Sequence, residues 1–214
     1  LRLVAHRARL MATLPSSGAM ATVRAPVATV TTALLTKPAL STVAVAAINS
    51  PRETVLSGRE DELVAALTRL EEIGVRSERL AVSGAFHSPW VDPILDAFET
   101  AVGGIPLAAP RIPIVSNRDG VLVSGAVTRP DYWRAQAREP VAFMAGVRTL
   151  REQGCGIFLD VGPHPALAPL VRRTLKSSVA CLPSLRRNRA DRRQLLTSLA
   201  TLYEEGVNID WTTV

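Results

Sequence analysis

The sequence predicts an α/β fold that contains a ferredoxin-like unit. Two observations predict it. From Ala19 to Val82 the apolar pattern switches repeatedly between short β-branched runs and a helical period. After Pro89, helical segments alternate with short apolar runs bounded by Gly and Pro. The composition shapes the core: 47% of residues are hydrophobic but only 4% aromatic, so it must be built from Ala, Val and Leu. At 214 residues, one large domain or two small ones are expected.

Each element follows in order. Leu1 to Leu14 places Leu3, Leu10, Met11 and Leu14 on one stripe, which fits an amphipathic helix ended by Pro15-Ser16-Ser17-Gly18. Ala19 to Val23 reads as a strand. Val27 to Leu35 is open: its threonines favour strand, its Ala and Leu favour helix, and Pro38 stops it. Thr42 to Ile48 and Thr54 to Ser57 read as strands around an Asn49-Ser50-Pro51 turn. A helix runs from about Glu60 to Ile73, with Gly74 as its C-cap. Arg76 to Val82 is then a strand. With Val27 to Leu35 as a helix, the order is β-α-β-β-α-β, the ferredoxin-like order.

Downstream, Val91 to Val102 reads as a helix and Gly103 to Pro110 as a linker. Ile112 to Ser116 is a short strand, and Val121 to Val127 a hairpin or loop. Pro130 starts a helix, where its missing N–H costs little. Pro140 opens another that ends at Gly154. Ile157 to Val161 reads as a buried strand, Leu167 to Leu175 as a helix, Val179 to Leu182 as a strand and Ala190 to Glu205 as a last helix.

The net charge of +6 comes almost entirely from arginine, since Lys37 and Lys176 are the only lysines. These arginines are scattered among acidic residues, without aromatic interleaving or zinc-finger spacing, so no nucleic-acid partner is expected. No run approaches the ~20 apolar residues of a membrane span, and no signal peptide appears, so no membrane partner is expected either. Cys155 and Cys181 offer neither a disulfide framework nor metal-ligand spacing, which suits a reduced, cytoplasmic protein without a metal. The opening Leu1-Arg2-Leu3-Val4 lacks Met and reads as mid-helix, which points to a piece of a longer chain.

The segment Ser83-Gly84-Ala85-Phe86-His87-Ser88-Pro89 carries the clearest chemistry. It sets a histidine in a turn after an apolar run, where a side chain titrating near neutrality suits general-base work. A base needs a nucleophile, yet no Gly-x-Ser-x-Gly elbow occurs in the chain. The segment lies in a series: Val4-Ala5-His6-Arg7-Ala8-Arg9-Leu10-Met11, Ala47-Ile48-Asn49-Ser50-Pro51, Gly84-Ala85-Phe86-His87-Ser88, Tyr132-Trp133, Glu139-Pro140-Val141-Ala142-Phe143 and Asp160-Val161-Gly162-Pro163-His164-Pro165. In that order they resemble the acyltransferase domain of type I modular polyketide synthases and, more distantly, the malonyl-CoA:acyl-carrier-protein transacylases of fatty-acid synthesis. Leu182-Pro183-Ser184-Leu185-Arg186-Arg187 and Gly206-Val207-Asn208-Ile209-Asp210-Trp211 resemble the linker that trails such domains.

The resemblance implies a partial α/β-hydrolase-like large subdomain with an inserted ferredoxin-like small subdomain. The implied boundaries are a large-subdomain helix at 1–16, the small subdomain at 17–82, the rest of the large subdomain at 83–180 and a linker at 181–214. It implies transfer of an extender acyl group, malonyl, from CoA to the phosphopantetheine thiol of an acyl carrier protein through an acyl-serine. No cofactor is bound, and the further partners are the ketosynthase and linker regions of the same synthase. Similar domains hold the serine in an elbow upstream of the helix matching Arg7, so the resemblance places it before Leu1 and implies an inactive fragment.

His87 matches the family's base, oriented by a backbone carbonyl expected near Glu139 to Ala142. Arg7 matches the position that grips the extender carboxylate, with Met11 one turn on; helical period alone does not separate Arg7 from Arg2 or Arg9. Phe86 matches the residue that selects malonyl over methylmalonyl by volume, and Gly84 stands where malonyl-selective domains often carry His. Asn49 matches a residue near the cleft, or simply forms a turn. His164, between two prolines, reads as structural, and His6 takes no role. Two alternatives stand beside this reading: a non-catalytic scaffold or carrier-protein docking piece of a synthase, and a free-standing fatty-acid malonyl transacylase.

Overall fold

The computed structural model describes residues 1–34, 42–82, 84–176 and 179–214. Leu35, Pro38 and Ser83 lie outside them. The chain separates into two compact units, Leu1–Thr149 and Leu150–Val214.

In the first unit, helix α1 (Arg2–Met11) precedes strand β1 (Gly18–Val23), helix α2 (Val27–Leu34), strands β2 (Ala44–Ser50) and β3 (Glu53–Arg59), helix α3 (Glu60–Glu72) and strand β4 (Ser77–Arg79). The four strands form one sheet in the order β2-β3-β1-β4, every neighbouring pair antiparallel. This is the ferredoxin-like arrangement. The ambiguous second element is a helix. Val30 is its one buried residue, while Thr29, Thr31 and Thr32 face outward, and Thr31 Oγ1 donates back to the Val27 carbonyl at 2.8 Å. Tertiary burial of Val30 thus overrides the strand preference of the threonines.

The sheet buries both faces, which sets where the site forms. Residues alternate across it, as a strand's two-residue period requires. Ala19, Ala21, Val23 and Leu56 pack under Val30, Leu63 and Leu70 of α2 and α3. On the other face Met20, Ala46 and Val55 pack against Phe86. The small alanines let a sheet with few aromatics close tightly. A further core joins α1 to helices α4 (Leu95–Gly103) and α5 (Pro130–Arg138): Leu3, Leu10, Met11 and Leu14 pack on Val91, Ile94, Leu95, Phe98, Val102 and Ala137.

Three expectations need correction in this unit. The last strand of the sheet ends at Arg79 rather than Val82: Leu80 N–H still bonds to the Met20 carbonyl, and then the chain leaves the sheet edge. The helix expected from Val91 is a 3-10 turn (Pro89–Ile94) before α4, because Pro93 cannot donate into an α-helical ladder. Pro140 opens an extended strap, not a helix. Val141 uses both backbone groups on β2, donating to the Ala46 carbonyl at 2.8 Å and accepting from Ile48 N–H at 2.9 Å. Helix α6 (Phe143–Glu152) starts beyond it. The strand expected at Ile112 to Ser116 is the short β5 (Ile114–Val115), and it pairs antiparallel with β6 (Leu122–Val123), so the hairpin joins the two segments rather than lying within Val121 to Val127.

In the second unit, β7 (Ile157–Asp160) pairs in parallel with β8 (Ala180–Pro183) through helix α7 (Ala168–Leu175), and α8 (Asp191–Glu204) follows. The Asp160 carboxylate accepts from Leu167 and Ala168 N–H at 2.8 and 3.0 Å, capping α7. The strand expected to be buried is not: Leu159 is 47% and Val161 79% exposed. An apolar run shows affinity for a core but not which of its faces is covered.

The site loop is fitted closely against β1. A methyl on Gly18 would stand 2.6 Å from Ala85 N, closer than a Cβ atom can approach, and a tight 3.0 Å from Ala85 Cβ. Gly18→Ala should therefore lower stability by about 1–3 kcal/mol, the usual cost of overpacking. Equilibrium urea unfolding measures this, and an unchanged midpoint would contradict the fit.

Candidate active site

The turn that carries His87 is built from small buried residues. Gly84, Ala85 and Ser88 are buried. Ser88 Oγ donates to the Ala85 carbonyl at 2.6 Å and accepts from Trp90 N–H at 3.2 Å, which folds the turn and caps the 3-10 segment. His87 itself has φ +57°, a left-handed conformation uncommon outside glycine and frequent at functional sites.

The His87 ring is half-buried, and its Nδ1 lies 2.9 Å from the Glu139 carbonyl oxygen. A carbonyl can only accept, so Nδ1 carries the hydrogen and the neutral ring keeps its lone pair on Nε2. Burial pushes the imidazole below its ordinary pKa, and the charge of Arg7 pushes it the same way, while the Glu139 bond opposes both. Burial and Arg7 therefore favour the neutral ring, the form in which Nε2 can take a proton.

The strap that supplies this carbonyl is fixed along its length. Glu139 N–H donates to the Ala135 carbonyl at 2.8 Å, closing the end of α5. Its carboxylate is gripped by Arg118, Nε to Oε2 at 2.5 Å and Nη2 to Oε1 at 3.4 Å. Val141 is stitched to β2 as described, and Ala142 N–H donates to the Asn117 carbonyl at 2.6 Å.

Arg7 occupies the inner side of α1. It is half-buried while Arg2 and Arg9 are exposed, a distinction that helical period could not make. Its Nη1 donates to Gln136 Oε1 on α5 at 3.4 Å, and burial pushes the guanidinium below its ordinary pKa. Among the described residues no carboxylate lies within ion-pair distance of it.

Phe86 links two cores. It packs on Met20, Ala46 and Val55 of the sheet, and on the helical core that also receives Met11. Its ring covers Gly84: a Cβ there would sit 3.3 Å from the ring carbons, so a side chain at 84 would press on Phe86. The structure thus gathers His87 and Arg7, and sets Met11 and Phe86 in one apolar cluster. Asn49 stands apart from them in its bonding. Its Nδ2 donates to Glu53 Oε1 at 3.4 Å across the β2–β3 turn, and the buried Glu53 also pairs with Arg24. His164 is exposed in the loop between β7 and α7, and His6 is half-buried on α1. Sequence reasoning missed Gln136 and Arg118. Only their spacing from the Glu139-Pro140-Val141 motif could have drawn attention to them.

The His87 environment makes a titration testable. Its midpoint should lie below the ordinary value of about 6.5, and Arg7→Gln should raise it. Because the folded state disfavours the charged ring, this group's contribution to stability is complete above about 6.5 and lost as pH falls below it. Ring-proton NMR across the pH range measures the midpoint. A value at or above the ordinary one would refute the burial account.

Comparison with known proteins agrees with the geometry. The acyl transferase domain profile matches residues 1–209. The conidial pigment polyketide synthase PfmaE of Pestalotiopsis fici is 38% identical over 215 residues, which cover 98% of this chain and 10% of that protein. Polyketide synthase GfsA of Streptomyces halstedii is 38% identical over 213 residues, 98% of this chain and 3% of that protein. The crystal structure of the acyltransferase domain from the second module of the salinomycin polyketide synthase superposes with a TM-score of 0.92 at 38% identity, over 98% of this chain and 49% of that one. The malonyl CoA-acyl carrier protein transacylase of Clostridium perfringens gives 0.85 at 26% identity, over 95% of this chain and 63% of that one. The chain therefore spans about half of that solved polyketide synthase domain and a tenth or less of these synthases. On this match over nearly its whole length, the chain belongs to the acyl transferase domain family.

Proposed function

We propose that this chain forms part of a malonyl-selective acyltransferase that loads an acyl carrier protein in polyketide biosynthesis. One observation carries the reading: His87 is fixed through Nδ1 with Nε2 as its basic nitrogen, close to a half-buried arginine that meets no carboxylate among the described residues. The chemistry runs in two halves. Nε2 of His87 takes the proton of a serine hydroxyl as its oxygen attacks the thioester carbon of malonyl-CoA. The C–S bond breaks and the proton passes to the departing CoA sulfur. The phosphopantetheine thiol of the carrier protein then gives its proton to Nε2, attacks the acyl-serine ester and releases the serine oxygen, which regains the proton. The chain contains no Gly-x-Ser-x-Gly, so the serine belongs to sequence outside these 214 residues. No cofactor is needed for either half.

Arg7 grips the free carboxylate of the extender unit. A fork of two parallel hydrogen bonds fixes orientation as well as charge. Phe86, with Met11 in the same apolar cluster, fills the volume that an α-methyl branch would need. Asn49, near the β2–β3 turn, borders the cleft. The carrier protein is the macromolecular partner, and the relatives' great length supports a setting beside ketosynthase and linker regions. The boundaries 1–16, 17–82, 83–180 and 181–214 describe the domain in that setting. Among the described residues no helix is long and apolar enough to cross a membrane.

The test uses the acyltransferase domain that contains this sequence. His87→Ala should reduce malonyl transfer to the carrier protein by about 10²–10⁴-fold, the usual worth of a general base. Retention of most of the rate would remove His87 from the mechanism. In competition between malonyl-CoA and methylmalonyl-CoA, Phe86→Ser should raise the methylmalonyl share, since one methyl in a pocket is worth about 1–3 kcal/mol. An unchanged product ratio would show that Phe86 does not gate the pocket.

A further inference from the structure

The arginines around α5 follow a rule that Arg7 breaks. Arg134 pairs with Asp96 and Glu99, and Arg138 with Asp92, all across to the α4 region. Arg129 pairs with Asp131 at the start of the helix, and Arg118 with Glu139 at its end. Arg7 approaches the same helix and meets the amide of Gln136 instead, at a long 3.4 Å. A half-buried guanidinium is the one that gains most from a carboxylate partner, because burial removes the water that would otherwise solvate it. Here the partner position holds a neutral isostere of glutamate.

We propose that Gln136 is a selectivity-determining positioning residue: its amide orients Arg7 without neutralising it, and so reserves the guanidinium for a carboxylate-bearing acyl group. The inference rests on the reading of Arg7 as the carboxylate anchor and deepens it. A side-chain amide oxygen offers Nη1 one hydrogen bond and only a partial charge. A glutamate of the same length would offer a charge-assisted fork and satisfy Arg7 from within the protein. The incoming carboxylate would then have to displace a tethered one. Gln136 also lies three residues before Glu139, on the last turn of the helix whose end holds His87. One helix terminus thereby sets both the charge available to the substrate and the tautomer of the base.

The groups facing Arg7 make the test readable. The Glu139 carboxylate is engaged by Arg118, and His87 is the titratable ring that senses the Arg7 charge. Sodium malonate is titrated into the acyltransferase domain that contains this sequence and followed by the ring signals of His87, for wild type, Gln136→Glu and Gln136→Met. In wild type malonate should raise the His87 titration midpoint by compensating Arg7. In Gln136→Glu the midpoint should already be raised without malonate, and malonate affinity should fall by at least about tenfold. Gln136→Met, neutral and of similar length but without an acceptor, should keep the malonate response with a severalfold weaker affinity. Wild-type affinity in Gln136→Glu overturns the proposal. If that variant fails to fold, by circular dichroism, Gln136→Met decides: wild-type affinity there shows that the amide orients nothing. A wild-type His87 that ignores malonate sinks the carboxylate reading of Arg7 itself, and this inference with it.

Discussion

The hydrogen bond from His87 Nδ1 to the Glu139 carbonyl is the constraint on which the site depends. Without it the imidazole could rotate, or exchange its proton between nitrogens, and Nε2 would not be a fixed acceptor. A backbone carbonyl adds no net charge, unlike a carboxylate. It selects a tautomer and partly supports the ring's basicity, against burial, the largest influence, and Arg7, which lower it. The ring is thereby kept ready to receive a proton rather than already holding one. The cost of this arrangement is borne by the backbone, since His87 sits at positive φ. A strain of about 1–3 kcal/mol of this kind persists only where the surroundings over-determine the geometry. Here they do so through the Ser88 turn on one side and the bonded strap on the other.

The ferredoxin-like sheet serves the site through its face opposite the helices. Its central strands are buried on both sides, with α2 and α3 over one face and Phe86 on the other. The missing side chain at Gly18 allows the His87 loop to approach the backbone of β1 closely. Phe86 then belongs to the sheet core and the helical core at once. Its position is defined by packing from two directions.

Much of this was legible in the sequence, for identifiable reasons. The β-α-β-β-α-β order follows from alternating periods and from Gly74, whose φ of +78° fits the C-cap it was expected to form. His87, Phe86 and the Glu139–Ala142 strap were legible as motif. Other features depend on tertiary contacts that a linear pattern does not encode. Pro140 fits a helix start and an extended strap equally well, and the bonds of Val141 to β2 decide between them. Three arginines on α1 look alike until burial separates Arg7 from Arg2 and Arg9. Gln136 carries no sequence signal, because its meaning lies in being an amide where its neighbours would find an acid. The Ile157–Val161 run is apolar enough for a core, but composition does not say which of its sides is covered.

The bridge between Ala47 and Val141 has a further effect on the sheet as a surface. β2 is an edge strand, and an edge strand offers unpaired backbone groups to any other extended chain. The strap occupies part of that edge with bonds at Ala46 and Ile48. The opposite edge, β4, is only three residues long and fully polar, Ser77-Glu78-Arg79, which also discourages pairing. Release of the strap would therefore do two things together: it would free the imidazole, and it would open a length of β2 to association with other chains. In this domain the strap that holds the imidazole also covers part of an open sheet edge, so the same few backbone bonds order the site and limit pairing with other chains.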